Sequence, residues 1–140
     1  PDGEHLLVTM RPDPAVPWAE EFYLIDRDGG ETQLTDLGAH YDSFFIGCYS
    51  WSPDGRYIAS WGLGSNLAVL DLEENRVVDY CIGPLGWTPV WSPDSTQIAG
   101  IVEVSFDPYI LQAVVIDIEN NTAFSISEDR MPIGWLQSIP

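Results

Sequence analysis

The residue types that perform catalysis are sparse in this sequence. Its two histidines, His5 and His40, have no Cys or Glu spaced around them as zinc ligands. The Gly-x-Ser-x-Gly elbow of a serine hydrolase does not occur. Asp13 and Asp107 could suggest paired carboxylates for acid–base chemistry, but each precedes a proline, and Asp-Pro is typical of a turn. The sequence therefore predicts no catalytic residue, no metal ligand and no cofactor.

The net charge of the chain restricts the classes of partner that it can bind. Its 140 residues include 22 Asp and Glu but only five Arg and no Lys, which gives a formal net charge of -17. Such a chain repels phosphate backbones, so nucleic acid and anionic membrane surfaces are poor partners. No apolar run approaches the ~18 residues that a membrane span requires, so membrane insertion is not expected.

A repeated turn organises the sequence. Residues 51–54 (Trp-Ser-Pro-Asp) recur 40 residues later at 91–94, and an earlier copy without the Trp begins at Pro1. Ser, Pro, Asp and Gly at successive positions favour a tight turn between two strands. Each copy is followed by a second landmark, an apolar run closed by Asp, at residues 22–26, 67–71 and 113–117.

Each repeat predicts four antiparallel strands, A to D. The turn joins A to B, the Asp-closed run is C, and a Gly- or Asn-rich hairpin leads from C to D. Strand C is apolar at consecutive positions, as at Val114 and Val115, so both of its faces need cover. Stacked sheets in repeats of about 40 residues are typical of propeller blades. The predicted fold is all-β, a β-propeller fragment of about three four-stranded antiparallel blades, with Trp51 and Trp91 filling space between blades.

We expect one partial propeller over residues 1–140, with blade repeats at approximately 1–42, 43–82 and 83–129. The first repeat lacks strand A, and residues 130–140 are expected to supply the first strand of a further blade, at 134–139. Propellers usually close with ~4 to 8 blades. Closing the ring would therefore need the remaining blades of a longer parent chain or a second copy of this one.

The two cysteines are predicted to be unpaired. Cys48 and Cys81 fall in apolar stretches, where Cys usually serves as a small buried hydrophobe. The strand order places Cys48 on an innermost strand and Cys81 on an outermost one, separated by ~14 Å at ordinary strand spacing. That separation is too large for a disulfide.

The repeat resembles a known family. The Ser-Pro-Asp-Gly turn at 52–55, followed by Ile58-Ala59 and an Asp-closed strand, is similar to the WD-like repeat of TolB-type propellers. It also resembles the propeller domains of prolyl-oligopeptidase-like and tricorn-like peptidases. The TolB resemblance implies a non-catalytic binding or scaffolding module that acts outside the cytoplasm, periplasmic or secreted. The peptidase resemblance implies an alternative, the substrate-gating propeller of a serine peptidase whose catalytic domain is absent from this sequence.

The binding site is expected where the repeats vary. The B–C loops and the D–A connections share one face of the propeller, and the first and third B–C loops are longer than the second. Irregular aromatic-bearing loops on a rigid scaffold are common recognition sites. The predicted partner is a protein or peptide, with an open alternative in which these side chains only fill gaps between blades. The candidate partner-binding residues are Trp18, His40, Trp87, Phe106, Tyr109 and Trp135.

Overall fold

The computed structural model describes residues 3–16, 20–39, 47–63, 66–82 and 87–136. This part of the chain folds into three separate antiparallel sheets, with a single 3-10 turn at Leu37–Ala39 and no α-helix. The sheets form an open row of propeller blades. The predicted fold class, an all-β propeller fragment, is confirmed.

The strands follow the predicted A-to-D order within each blade. Blade 1 contains three strands, in the order β1 (His5–Met10), β2 (Glu21–Asp26) and β3 (Glu31–Gln33). Blade 2 contains β4 (Gly47–Trp51), β5 (Tyr57–Leu63), β6 (Asn66–Asp71) and β7 (Arg76–Tyr80). Blade 3 contains β8 (Val90–Trp91), β9 (Gln97–Phe106), β10 (Tyr109–Asp117) and β11 (Thr122–Glu128).

The C strands of blades 2 and 3 are buried on both faces, as their consecutive apolar residues predict, whereas β2 of blade 1 is only partly buried after Phe22. In β6, Val69 belongs to the apolar cluster between blades 2 and 3, whereas its neighbour Leu70 belongs to the cluster between blades 1 and 2. Successive side chains of a strand point to opposite faces, so one strand serves two cores. Trp91 is buried in the first cluster and Trp51 packs against the second. Both tryptophans therefore fill space between blades, as predicted.

The predicted strand at 134–139 is not found in its described part, because residues 134–136 are not in a strand. Residues 137–139 lie outside the described residues. The physical reason is that strand A pairs with the strand B that follows it, as β4 does with β5. Among the described residues no strand follows β11 to pair with residues 134–136.

Cys48 and Cys81 form no disulfide and lie at opposite edges of blade 2, on β4 and just after β7, as predicted. The expectation that they are buried is wrong, since both are exposed. Cys48 sits at a bulge in the β4–β5 pairing with a φ of +46°. A bulge removes the residue from the regular alternation that would point it at a core. Cys81 follows β7, which is an edge strand of its sheet among the described residues.

Candidate functional site

The repeated turn is held by its own buried serine and aspartate. In blade 2, Ser52 donates its hydroxyl to Asp54 Oδ1 at 2.6 Å and accepts the Tyr57 N–H at 2.8 Å. In blade 3, Ser92 donates to Asp94 Oδ1 at 2.6 Å, and its hydroxyl accepts a backbone N–H at 2.9 Å. Both serines are buried. Each serine hydroxyl therefore bridges the two strands while the aspartate ties down the turn between them.

The last turn position differs between the blades and creates a link between them. Gly55 has a φ of +81°, and Ser95 adopts a φ of +63° at the equivalent place. A non-glycine residue in this region is strained by ~1 kcal/mol. The Ser95 hydroxyl accepts the backbone N–H of Asp54 at 3.1 Å across the blade boundary, which offsets that strain.

Tryptophan side chains link successive blades by donating hydrogen bonds to backbone carbonyls. Trp91 Nε1 donates to the carbonyl of Ser50 at 3.1 Å, and Ser50 Oγ donates to the carbonyl of Pro89 at 2.6 Å. Trp135 Nε1 donates to the carbonyl of Val90 at 3.0 Å, the position in blade 3 that corresponds to Ser50 in blade 2. Trp135 thus contacts blade 3 as Trp91 contacts blade 2, which gives it a packing role.

The aspartate that closes each strand C caps the following turn. Asp26 Oδ1 accepts the N–H groups of Asp28 and Gly30, and Asp117 Oδ1 accepts that of Asn120. Asp71 does the same for Glu73 and Glu74, and also accepts two hydrogen bonds from the Arg56 guanidinium at 3.1 and 2.8 Å.

Hydrogen bonds of this kind lower the pKa of Asp71, Asp94 and Asp117. The Arg56 guanidinium holds the pKa of Asp71 below its ordinary value, and hydrogen bonds from Asn120 lower the pKa of Asp117. Hydrogen bonds from Ser92 and Thr96 do the same for the pKa of Asp94. Asp71, Asp94 and Asp117 are therefore charged at neutral pH, and their hydrogen bonds hold the turns.

A buried glutamate that the sequence analysis does not predict holds the turn that follows β3. Glu21 is 2% exposed, and its carboxylate accepts the Thr35 hydroxyl and the backbone N–H groups of Leu37 and Gly38, the last two at 2.9 Å each. Thr35 in turn accepts the Phe22 N–H at 2.9 Å. A charged residue at the start of a predicted apolar run was the available signal, because a buried carboxylate needs donors close by.

The third B–C connection is a long hairpin, and the prediction of an irregular loop there is wrong. The strands β9 and β10 have ten and nine residues, against seven and six in β5 and β6. At its tip Phe106 pairs directly with Tyr109, and the two rings meet edge to face with centroids 6.5 Å apart. Phe106 is 82% exposed and Tyr109 60%, and the nearby Val104 is also exposed. We call residues 104–109 the aromatic hairpin.

The remaining predicted site residues are dispersed or undescribed. Trp87 is half exposed, whereas Trp135 is partly buried against blade 3. Trp18 and His40 lie outside the described residues. Of the six candidates, the structure brings Phe106 and Tyr109 into contact.

The described residues hold neither a metal-binding cluster nor a membrane-spanning helix. No group of three or more His, Cys, Asp and Glu side chains is arranged to hold a metal ion. No helix in these ranges is long and apolar enough to span a membrane.

Comparison with solved structures places this arrangement among known propellers. An oligogalacturonate lyase from Vibrio parahaemolyticus is similar with a TM-score of 0.68 and 20% identity, over 91% of this chain and 37% of the lyase. TolB from Acinetobacter baumannii gives 0.61 and 16% over 89% of this chain and 30% of TolB. A tricorn protease gives 0.67 and 14% over 90% of this chain and 12% of the protease.

No family model matches the chain. The chain spans well under half the length of each of these three proteins. At these identities the likeness concerns the fold. The chain has the blade architecture shared by TolB and peptidase propellers, as the repeat predicted.

Proposed function

We propose that this chain is a non-catalytic binding module that recognises a protein or peptide partner through the aromatic hairpin. The observation that carries the proposal is the exposed, mutually contacting pair Phe106 and Tyr109. Exposed aromatic clusters are unfavourable in water and common at the centre of protein interfaces. Strand pairing already orders the hairpin that carries the two rings. Binding a partner would therefore cost little further conformational entropy in this segment.

The position of the hairpin supports recognition over blade packing. The apolar cluster between blades 2 and 3 ends on β9 at Val102. The hairpin continues beyond it to the end of the sheet that also carries the D–A connections, because strand direction alternates. Trp87 at this end is a second proposed contact, and Trp18 and His40 remain proposed from the sequence alone.

The setting of the module is also a proposal. The TolB-type resemblance favours an extracytoplasmic protein, periplasmic or secreted, that works within a protein assembly. Further blades of a longer chain, or a second copy, would complete the ring, since the described part forms three blades and propellers usually need ~4 or more.

The alternative function is the substrate-gating propeller of a serine peptidase. It is supported by the same fold, because the likeness to the tricorn protease is as strong as that to TolB. The coding sequence on either side discriminates the two. A downstream Gly-x-Ser-x-Gly with later Asp and His would favour the peptidase.

Photocrosslinking in an extract of the source cells tests the binding proposal. A photoreactive group is placed at Ser105, within the hairpin, in three backgrounds: otherwise wild type, Phe106→Ala/Tyr109→Ala, and Phe124→Ala. Phe124 is an exposed aromatic on β11 away from the tip, so its substitution controls for general loss of apolar surface. A discrete adduct present in the first and third and absent from the second is expected. Equal adducts in all three would refute recognition by the hairpin.

A further inference from the structure

A groove separates blades 1 and 2 at their outer strands. The outermost strand of blade 1, β3, has three residues, whereas β7 has five. Val77, which pairs with Leu70 on β6, is exposed on the blade 2 side of this groove, whereas Leu70 itself is buried. Leu34 and Leu37 form the opposite wall, and the enclosed volume is about 360 Å³. This is within the ~300–1,000 Å³ of ordinary ligand sites.

The rim of the groove offers acceptors. Asp36 is exposed at its edge, and its carboxylate has no hydrogen bond or ion pair with any described residue. Asn75, held at a φ of +46° in the β6–β7 turn, adds an exposed carboxamide. The Thr35 hydroxyl already donates to Glu21 and accepts the Phe22 N–H, so it is not available to a ligand.

A groove that exposes the apolar side chain of Val77 and ends at an unpaired carboxylate matches one kind of side chain. Lys and Arg carry a long apolar stem and a cationic head, and they bury the stem while the head binds an acceptor. The chain has no Lys, and three of its five arginines, Arg11, Arg27 and Arg56, are paired with acidic residues elsewhere. The net charge of -17 further attracts a cationic ligand.

The neighbouring strand edge favours a peptide over a free amine. The strand β3 lies at the edge of its sheet, and its three residues are exposed. An edge strand presents unpaired N–H and C=O groups that can pair with an added extended segment. The groove continues along Gln33 at the end of this strand.

We propose that the groove between blades 1 and 2 binds an extended basic peptide, with one Arg or Lys side chain seated on Leu34 and Val77 and its cationic head at Asp36. This site is separate from the aromatic hairpin and does not depend on the function proposed for it. Its ligand is recognised by charge and stem length, with main-chain pairing along β3.

Fluorescence anisotropy on the full chain tests this site with a labelled heptapeptide, Gly-Val-Thr-Arg-Val-Thr-Gly, and with the same peptide carrying Glu in place of Arg. We expect the Arg peptide to bind and the Glu peptide not to bind. Asp36→Asn should weaken it about fivefold, equivalent to about 1 kcal/mol. Glu119→Gln removes the same charge from an exposed turn of blade 3 and should leave the affinity unchanged.

A filled groove provides the second arm. Val77→Tyr should abolish binding of the Arg peptide, while its thermal melt shows that the blades remain folded. If Val77→Tyr does not fold, Asp36→Asn against Glu119→Gln decides alone. The proposal is overturned if the Arg and Glu peptides bind equally or neither binds, or if Asp36→Asn and Glu119→Gln act alike. Full displacement by spermidine at equal charge concentration would also overturn it, since simple cation binding would then suffice.

Discussion

The backbone of blade 3 at Gly100 lies close to the Trp61 ring of blade 2, and replacing Gly100 tests the stacking of the blades. A Cβ atom on Gly100 would lie 2.8 Å from Cζ2 of Trp61. Trp61 is 2% exposed and belongs to the apolar cluster between the two blades. Its ring cannot move away without disturbing that cluster, because protein interiors are close-packed.

The expected cost of Gly100→Ala follows from two opposing effects. Overpacking a core by one methyl group costs ~1–3 kcal/mol. Replacing glycine also restricts the unfolded chain, which stabilises the fold by ~0.4–1 kcal/mol. The net loss should be about 1–2 kcal/mol, which lowers the Tm by about 3–6 °C for a chain of this size. Trp61→Phe removes the atom that clashes, so the alanine should be nearly neutral in that background.

The assay is thermal and urea unfolding followed by far-UV circular dichroism, with all four combinations of the two substitutions. Gly134→Ala is the matched control, because nothing lies within 4 Å of a Cβ there. It should change the Tm by less than about 1 °C. The stacking geometry is refuted if Gly100→Ala is as harmless as Gly134→Ala. It is equally refuted if the alanine costs the same with Trp61 as in the Trp61→Phe background.

Three further predictions concern the polar network. Ser92→Ala should lose ~1–3 kcal/mol in urea unfolding, because it leaves the Gln97 N–H without its side-chain acceptor, whereas the exposed Ser125→Ala should cost under ~0.5 kcal/mol. Ser95→Gly relieves a positive φ but removes the link to Asp54, so its melt should change by less than that of Ser92→Ala. The pKa of Asp71 is lowered in the folded state, so its contribution is complete above the ordinary value of 3.8 and fades as pH falls further. The difference in urea midpoint between wild type and Asp71→Asn should therefore be constant above about pH 5 and shrink below about pH 4; a difference that grows in acid would contradict the Arg56 pairing.

The sequence allowed the blades to be predicted because their signals are local. Consecutive apolar residues such as Val69 and Leu70 require cover on both sides, and the structure covers them from two neighbouring blades. The repeated turn defined the hairpins. The role of its serine was not predicted, since only the folded turn shows that Ser52 is buried and bridges two strands.

The aromatic hairpin shows where a local signal was present and misread. Val102, Val104 and Phe106 alternate with the polar residues between them, a pattern of period two that predicts a strand. The Asp107-Pro108 turn signal favours an irregular loop instead, and the prediction for the extra residues of the third repeat follows that signal. The turn is real but short, and strand pairing continues up to it on both sides.

The groove and the exposure of the cysteines could not be read from the sequence. The groove lies beyond the end of β3 at Gln33, and Glu21 on β2 holds the turn that follows by accepting its N–H groups. Cys48 is exposed because of a bulge in pairing with β5. Both features arise from contacts between distant segments, which local composition does not encode.

The aromatic hairpin extends beyond the contacts that stabilise blades 2 and 3. Blades 2 and 3 share the serine turn, the capping aspartate and a common apolar cluster, and those features stabilise both blades. The strand pairs of blade 3 nevertheless continue past Val102, where that cluster ends, to place Phe106 and Tyr109 in water. Those added residues bury little apolar surface, so folding gains little from them. A partner that covers the two rings would recover the apolar burial that the isolated chain forgoes.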